Sequence, residues 1–186
     1  MSVASNELYS RQIGAIGLDS MIKLQKCNVL IIGANATGLE CAKCLALKGV
    51  RSIHIYDNDV TNKLNTIDLY YYKKTKSNKL SENCVNFIRE LNSNVDANII
   101  NNLSYEYLTK ADIQVVILTK LLKDSSLGIL KIEKFCVDNN IKFILGISGG
   151  LEGYVFSNFG THTITDKDAE SCESGYVENY NINNTI

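Results

Sequence analysis

One stretch, Val29 to Asp57, constrains this chain more than any other. It reads VLIIGANATGLECAKCLALKGVRSIHIYD. An apolar run, Val29 to Ile32, stops at Gly33. A turn of small residues, GANATG, leads into a helical pattern that ends near Gly49, and a second apolar run ends on Asp57. Strand, glycine turn, helix, strand and acid in this order form the first half of a nucleotide-binding Rossmann unit. Glycines in such a turn let the backbone approach phosphate, and the helix N-terminus supplies N–H groups and positive dipole. Gly33 and Gly38 hold their places, but Ala34, Asn35, Ala36 and Thr37 stand between them, where a third glycine is usual. Each added Cβ obstructs the closest approach of a phosphate. The two glycines therefore suit either a phosphate cradle or a strand–helix turn that needs them only for packing. Asp57 follows Gly38 by 19 residues, the spacing of a ribose-binding acid, and Asp59 lies on the same loop. A solvent-facing carboxylate at a strand end explains Asp57 equally well.

The rest of the chain extends the pattern. A helix is expected over about residues 8–26, then strands at 27–32, 52–56, 96–100, 112–119 and 141–147. Further helices are expected at 37–48, 80–91 and 127–137. Residues 153–164 alternate around Gly160 like a hairpin on a sheet edge. Continuous apolar strands alternating with helices predict an α/β fold. It is Rossmann-like and doubly wound, with a mostly parallel sheet and an antiparallel edge hairpin. The domain is expected to cover residues 1–165, with a polar, Asn-rich tail, 166–186, leading into a further domain of a longer chain.

Composition narrows the function classes. A net charge of −1 gives no bulk electrostatic case for nucleic acid or membrane. No apolar run approaches the roughly 20 residues of a membrane helix, and the first residues lack the apolar core of a signal peptide. The six cysteines are then expected as reduced thiols. Cys41 and Cys44 form a CxxC inside a helical pattern, but a zinc site needs a second pair, so no metal is expected and buried helix thiols are the simpler reading. Lys73, Lys74, Lys76 and Lys79 suit a solvated loop. His54 and His162 fall in separate β patterns and define no catalytic arrangement.

Widely separated segments then resemble one family. LYSRQIGAIGLDSMIKL (8–24), VLIIG, the Gly-bounded loop, ALKGV and Asp57 follow in order. Together with IKFILGISGGLEGYVFSNFGTHTITDKDAES (141–171), they resemble the adenylation fold of ubiquitin-activating enzymes and their relatives. In that family two homologous adenylation domains pair. The active one binds ATP and Mg²⁺ and adenylates the C-terminal glycine of ubiquitin or a ubiquitin-like protein, which then passes to a cysteine in a separate domain.

Compared residue by residue, this chain resembles the inactive half. The adjacent middle glycines of the active signature are replaced by Asn35 and Ala36. The acid pair is retained as Asp57 and Asp59, and Asn65 fills the place of the following Asn. Asp68 and Leu69 stand where an Arg-Gln pair contacts phosphate, and Ser81 stands where the next helix begins with Lys, Lys79 being two residues earlier. Thr119-Lys120 replaces the Thr-Asp whose Asp binds Mg²⁺, and an ammonium repels that ion. The resemblance implies that Gly33, Gly38, Asp57, Asp59 and Asn65 are vestigial and that this chain alone binds no cofactor. ATP and Mg²⁺ would sit in a partner active adenylation domain. The arginine of the LYSRQ motif, Arg11, would reach the ATP phosphates of that partner in trans. The implied setting is the ubiquitin pathway of cytoplasm and nucleus. The alternatives are a small subunit of a heterodimeric activating enzyme for SUMO or another ubiquitin-like protein, and an independent nucleotide-binding Rossmann oxidoreductase.

Overall fold

A computed structural model describes residues 7–60, 77–122 and 128–161. Its strands are β1 (Asn28–Ile32), β2 (Ser52–Tyr56), β3 (Asp96–Ile99), β4 (Val115–Leu118), β5 (Lys142–Gly149) and β6 (Glu152–Asn158). They form one sheet in the order β3-β2-β1-β4-β5-β6. Pairing is parallel from β3 through β5 and antiparallel between β5 and β6. The helices are α1 (Ser10–Ile16), α2 (Leu18–Leu24), α3 (Ala36–Lys48), α4 (Leu80–Leu91), α5 (Tyr105–Lys110) and α6 (Ile129–Asp138).

β1 is central, and all of it is buried, as an unbroken apolar strand requires when both faces are covered. Successive side chains point to opposite faces. Val29 and Ile31 join Ile53, Ile55, Leu39 and Ala42 of α3, and Cys84 and Ile88 of α4, in one core layer. Leu30 and Ile32 join Val116, Leu118 and Phe143, with Leu108 of α5 and Ile132 and Cys136 of α6, in the other. Each fully buried Leu or Ile contributes about 1.5–3 kcal/mol, so β1 anchors both layers. The chain leaves β1 toward β2 on one side and returns as β4 on the other. This reversal opens a crevice at the carboxyl ends of the strands.

The sheet agrees with the sequence expectation, while several local features differ. The expected helix over 8–26 is two helices, because Gly17, at φ +81°, turns the chain between them. The expected strand over 112–119 keeps only Val115–Leu118, and Asp112 has φ +48°. Helix α5 was not expected. Its six residues are too few to show a period, and Ser104 starts it by accepting a hydrogen bond from Tyr107 N. The edge hairpin turns at Gly150 (φ +63°), not at Gly160, so its first strand is β5 itself. The expected domain boundary at 165 lies outside the described residues.

A buried polar chain ties β1, β2 and α5 together. Ser52 Oγ donates to Asn28 Oδ1 at 2.7 Å, and His54 Nε2 lies 2.9 Å from the same Ser52 oxygen. Tyr107 Oη lies 2.8 Å from His54 Nδ1. With the Ser52 proton committed to Asn28, Nε2–H donates to Ser52, and in the neutral ring Nδ1 then accepts from Tyr107. Burial favours the neutral imidazole, and in that form the ring is held in this one tautomer. Burial lowers the His54 pKa below its usual value, outweighing the opposite pull of Asp96. The unfolded chain thus holds the proton more readily. This stabilisation is full above about pH 6.5, the unperturbed value, and is lost as pH falls from there through the folded-state pKa. Thermal melts between pH 7.5 and 5.5 should show a steeper loss of stability in the wild type than in His54→Gln. Parallel slopes would contradict this assignment.

Candidate functional site

The crevice at the ends of β1, β2 and β4 is closed by the chain's own groups. Gly33 has φ +106°, and a Cβ on it would lie 2.5 Å from Thr119 Oγ1 and 2.7 Å from Lys120 Cβ. A Cβ on Gly38 would lie 1.9 Å from Gly33 O. Both glycines are thus required for the first turn of α3 to press against the end of β1. Thr119 Oγ1 sits at this junction, its single proton shared between Gly33 O at 2.9 Å and Ile32 O at 3.2 Å. Asn35 is the N-cap of α3. Its Oδ1 accepts from Gly38 N at 2.9 Å, and its Nδ2 donates to Thr119 O at 2.8 Å. An N–H that a phosphate would otherwise find is therefore filled internally. Thr37 Oγ1 lies 2.8 Å from Ser148 Oγ, fastening the same turn to β5.

Asp57 is buried, so the solvent-facing reading of this acid is corrected. Its Oδ2 accepts from Ala34 N at 2.7 Å. Its Oδ1 accepts from Asp59 N at 2.9 Å and from Lys120 Nζ at 2.8 Å. Lys120 Nζ also donates to Asp59 Oδ2. Burial alone would depress the Lys120 pKa, but the hydrogen bonds and charges of Asp57 and Asp59 outweigh it and hold the ammonium above its usual range. A magnesium nucleotide in this crevice needs carboxylate oxygens for its ribose, open N–H groups at the helix start and an oxygen ligand for the metal. Asp57 uses both oxygens within the chain, Asn35 fills the Gly38 N–H, and position 120 presents a cation. These residues do not fit that group.

The structure brings Gly33, Gly38, Asp57, Asp59 and Lys120 together and leaves Arg11 apart. Arg11 is exposed on α1, whose N-cap, Tyr9, packs on Gly49 at the far end of α3. The 13 residues of α3 put about 20 Å between the two ends, well beyond the reach of an arginine side chain. Asn65, Asp68 and Leu69 lie outside the described residues. Ser81 is buried, and Lys79 is exposed, 3.5 Å from Glu82. Cys41 is half-buried and its thiol pKa is raised, first by burial and then by Cys44 and Glu40. Burial pushes Cys84 and Cys136 up to about 12. Among the described residues no group of three His, Cys, Asp or Glu is arranged to hold a metal. Sequence reasoning placed Lys120 as a repellent of metal but missed its pairing with the acids. The available signal was opposite charges at the ends of strands that flank β1.

Comparison with known proteins gives a consistent picture. The model of the ThiF family matches residues 9–179. The ubiquitin-activating enzyme E1 1 of Candida albicans (strain WO-1) is 32% identical over 181 residues, covering 96% of this chain and 17% of the relative. SUMO-activating enzyme subunit 1 of Xenopus tropicalis is 30% identical over 167 residues, covering 87% of this chain and 47% of that subunit. The chain thus spans about a sixth of the one relative and about half of the other. Among solved structures, PaaA superposes with a TM-score of 0.67 at 23% identity, covering 88% of this chain and 58% of PaaA. The fold is shared with it.

Two substitutions test the crevice. Gly38→Ala raises helix propensity by about 1 kcal/mol, yet its methyl meets the Gly33 carbonyl. Overpacking of this kind costs about 1–3 kcal/mol or more, so we expect a net loss in urea unfolding, and a gain would contradict the close contact. Lys120→Met leaves the buried Asp57 carboxylate without its counter-charge. Because Lys120 and Asp59 keep some solvent contact, the loss should be about 2 kcal/mol, below the roughly 3–5 kcal/mol of a fully buried pair broken on one side. Stability unchanged in the same urea assay would mean the ion pairs do not hold the crevice.

Proposed function

The chain belongs to the ThiF family, and from that membership and its homology to ubiquitin-activating enzymes we propose that it is the non-adenylating half of an activating enzyme for ubiquitin or a ubiquitin-like protein. In this reading it pairs with an active adenylation domain, on the same polypeptide or a separate subunit. That domain carries ATP and Mg²⁺ and adenylates the modifier's C-terminus. The observation that carries the reading is the Lys120 ammonium held between Asp57 and Asp59. A domain that must admit a magnesium nucleotide does not fill its own acid pair with a tethered cation.

Arg11 is the residue this half would contribute. It is exposed and lies at the opposite end of α3 from its own crevice. In this reading the phosphate it meets belongs to the partner domain. A guanidinium supplies a planar fork of donors and a permanent charge. Offered to the partner's ATP, it would stabilise negative charge as pyrophosphate departs. Exposed apolar side chains give a partner surface to cover: Ile16, Leu18 and Ile22 near Arg11, and Tyr154 and Val155 on β6. Family membership argues against an independent oxidoreductase.

Calorimetric titration of the isolated chain should give no saturable binding of ATP with Mg²⁺, or of NAD, at micromolar concentration. Tight binding of NAD would remove this reading. In the assembled enzyme, Arg11→Ala should slow ATP–pyrophosphate exchange on the order of 10²-fold while the pair stays associated. An unchanged rate would rule out the trans role.

A further inference from the structure

The segment carrying Arg11 barely touches the rest of the molecule. Between Glu7 and Ser20 only Tyr9 is buried, and α1 itself has no buried residue. Among the described residues, the position of this helix is fixed mainly at its first turn. The Tyr9 ring lies on Gly49, where a Cβ would stand 2.5 Å from its Cζ and Oη. Gly49 ends α3 in the left-handed conformation, at φ +76°, so this position needs glycine for both reasons. Tyr9 Oη accepts from Asn92 Nδ2 at 2.8 Å, and the same amide donates to Ala46 O at 2.7 Å. Asn92 Oδ1 is held in turn by Asn94 N at 3.1 Å. Gln12 Nε2 donates to Leu47 O at 3.0 Å. Ala46 and Leu47 lie in the last turn of α3, where carbonyls carry partial negative charge, and Ala46 O also accepts from Gly49 N at 3.1 Å.

We propose that Tyr9, Gln12 and Asn92 form a seat that positions Arg11 for its partner. Tyr9 and Gln12, three residues apart, share a helix face, and that face is turned to the carbonyl end of α3. Arg11 lies off that face and is exposed. Gln12 Oε1 is buried without a hydrogen-bond partner among the described residues. Burying an unsatisfied acceptor costs stability, so stability alone does not account for this side chain. Holding the first turn in one orientation does. The three are positioning residues, since none touches the reacting atoms. The inference rests on the reading of Arg11 as a trans donor.

The test uses the chain assembled with its active adenylation half, with kcat and the KM for ATP measured in pyrophosphate exchange. Arg11→Ala, Tyr9→Ala, Gln12→Ala, Tyr9→Phe and the double variant Tyr9→Ala/Arg11→Ala are compared. Tyr9→Ala should lower kcat at least tenfold, with the KM for ATP changed less than twofold. Gln12→Ala should lower it severalfold, and Tyr9→Phe, which keeps the ring, should be the mildest. The double variant should be no slower than Arg11→Ala alone, because a seat has no effect once its occupant is gone. If Arg11→Ala slows exchange but Tyr9→Ala and Gln12→Ala do not, the seat is wrong and the trans role stands. If the double variant shows both losses multiplied, Tyr9 acts through general structure and the seat is wrong. If Arg11→Ala changes nothing, the trans role and the seat fall together. Should Tyr9→Ala fail to fold, Gln12→Ala and Tyr9→Phe decide the question by the same criteria.

Discussion

The closest constraint in this fold is the approach of the first turn of α3 to the end of β1. The Gly33 carbonyl occupies space that any Cβ at Gly38 would need. That contact sets the angle at which α3 leaves the sheet, and the surrounding bonds preserve it. Thr119 Oγ1 binds the same carbonyl, Asn35 bridges Gly38 N to Thr119 O, and Asp57 holds Ala34 N. Because α3 is a rigid helix, fixing its start also fixes its end. Gly49, Ala46 and Leu47 at that end receive the Tyr9 and Gln12 contacts. The closed crevice and the arginine-bearing helix are therefore two ends of one strut.

The charge arrangement follows from burial. Asp57 accepts from the backbone N–H groups of Ala34 in the turn and Asp59 in the following loop. Removing it would take that acceptor from both. A buried carboxylate nevertheless needs a counter-charge. Lys120, at the end of β4 next to β1, supplies it and takes Asp59 into the same pair. The acid whose spacing reads as ribose-binding thus has a structural use independent of any nucleotide. This accounts for how Asp57, Gly33 and Gly38 coexist with a lysine that opposes metal binding.

Much of this was legible in the sequence where a physical signal was long or doubly constrained. β2 and α4 fall at their expected bounds, because a buried strand between Gly49 and Asp57 and a strongly amphipathic helix leave few alternatives. The break at Gly17 was less legible, since glycine inside a helical pattern is often tolerated. Helix α5 is too short to show its period, and the turn at Gly150 competes with Gly146, Gly149, Gly153 and Gly160 for the same role. The site was half legible. Spacing brought Gly33, Gly38 and Asp57 together, but burial decides whether a strand-end carboxylate is free, and burial depends on β4 and Lys120, some sixty residues away. Tyr9 stood out only as part of LYSRQ and Asn92 not at all, because a tyrosine before a helix and an asparagine after one are ordinary until Gly49 brings them into contact.

On the proposed reading, a half that lends a residue to another domain has a different requirement from one that binds substrate. Its geometry should not depend on a ligand of its own. If α3 were held at its N-terminus by a phosphate, its far end, and the seat of Arg11 with it, would shift with nucleotide occupancy. Here the anchoring groups are an asparagine cap, a threonine hydroxyl and a lysine–carboxylate pair, all covalently part of the chain. The internal cation ties the strut's N-terminal end without any ligand, and in the proposed reading the Tyr9 contacts at the other end set where Arg11 is offered. In this reading the filled crevice is part of how the arginine is held, because a ligand-independent strut offers it at a constant position whatever the partner's ATP is doing.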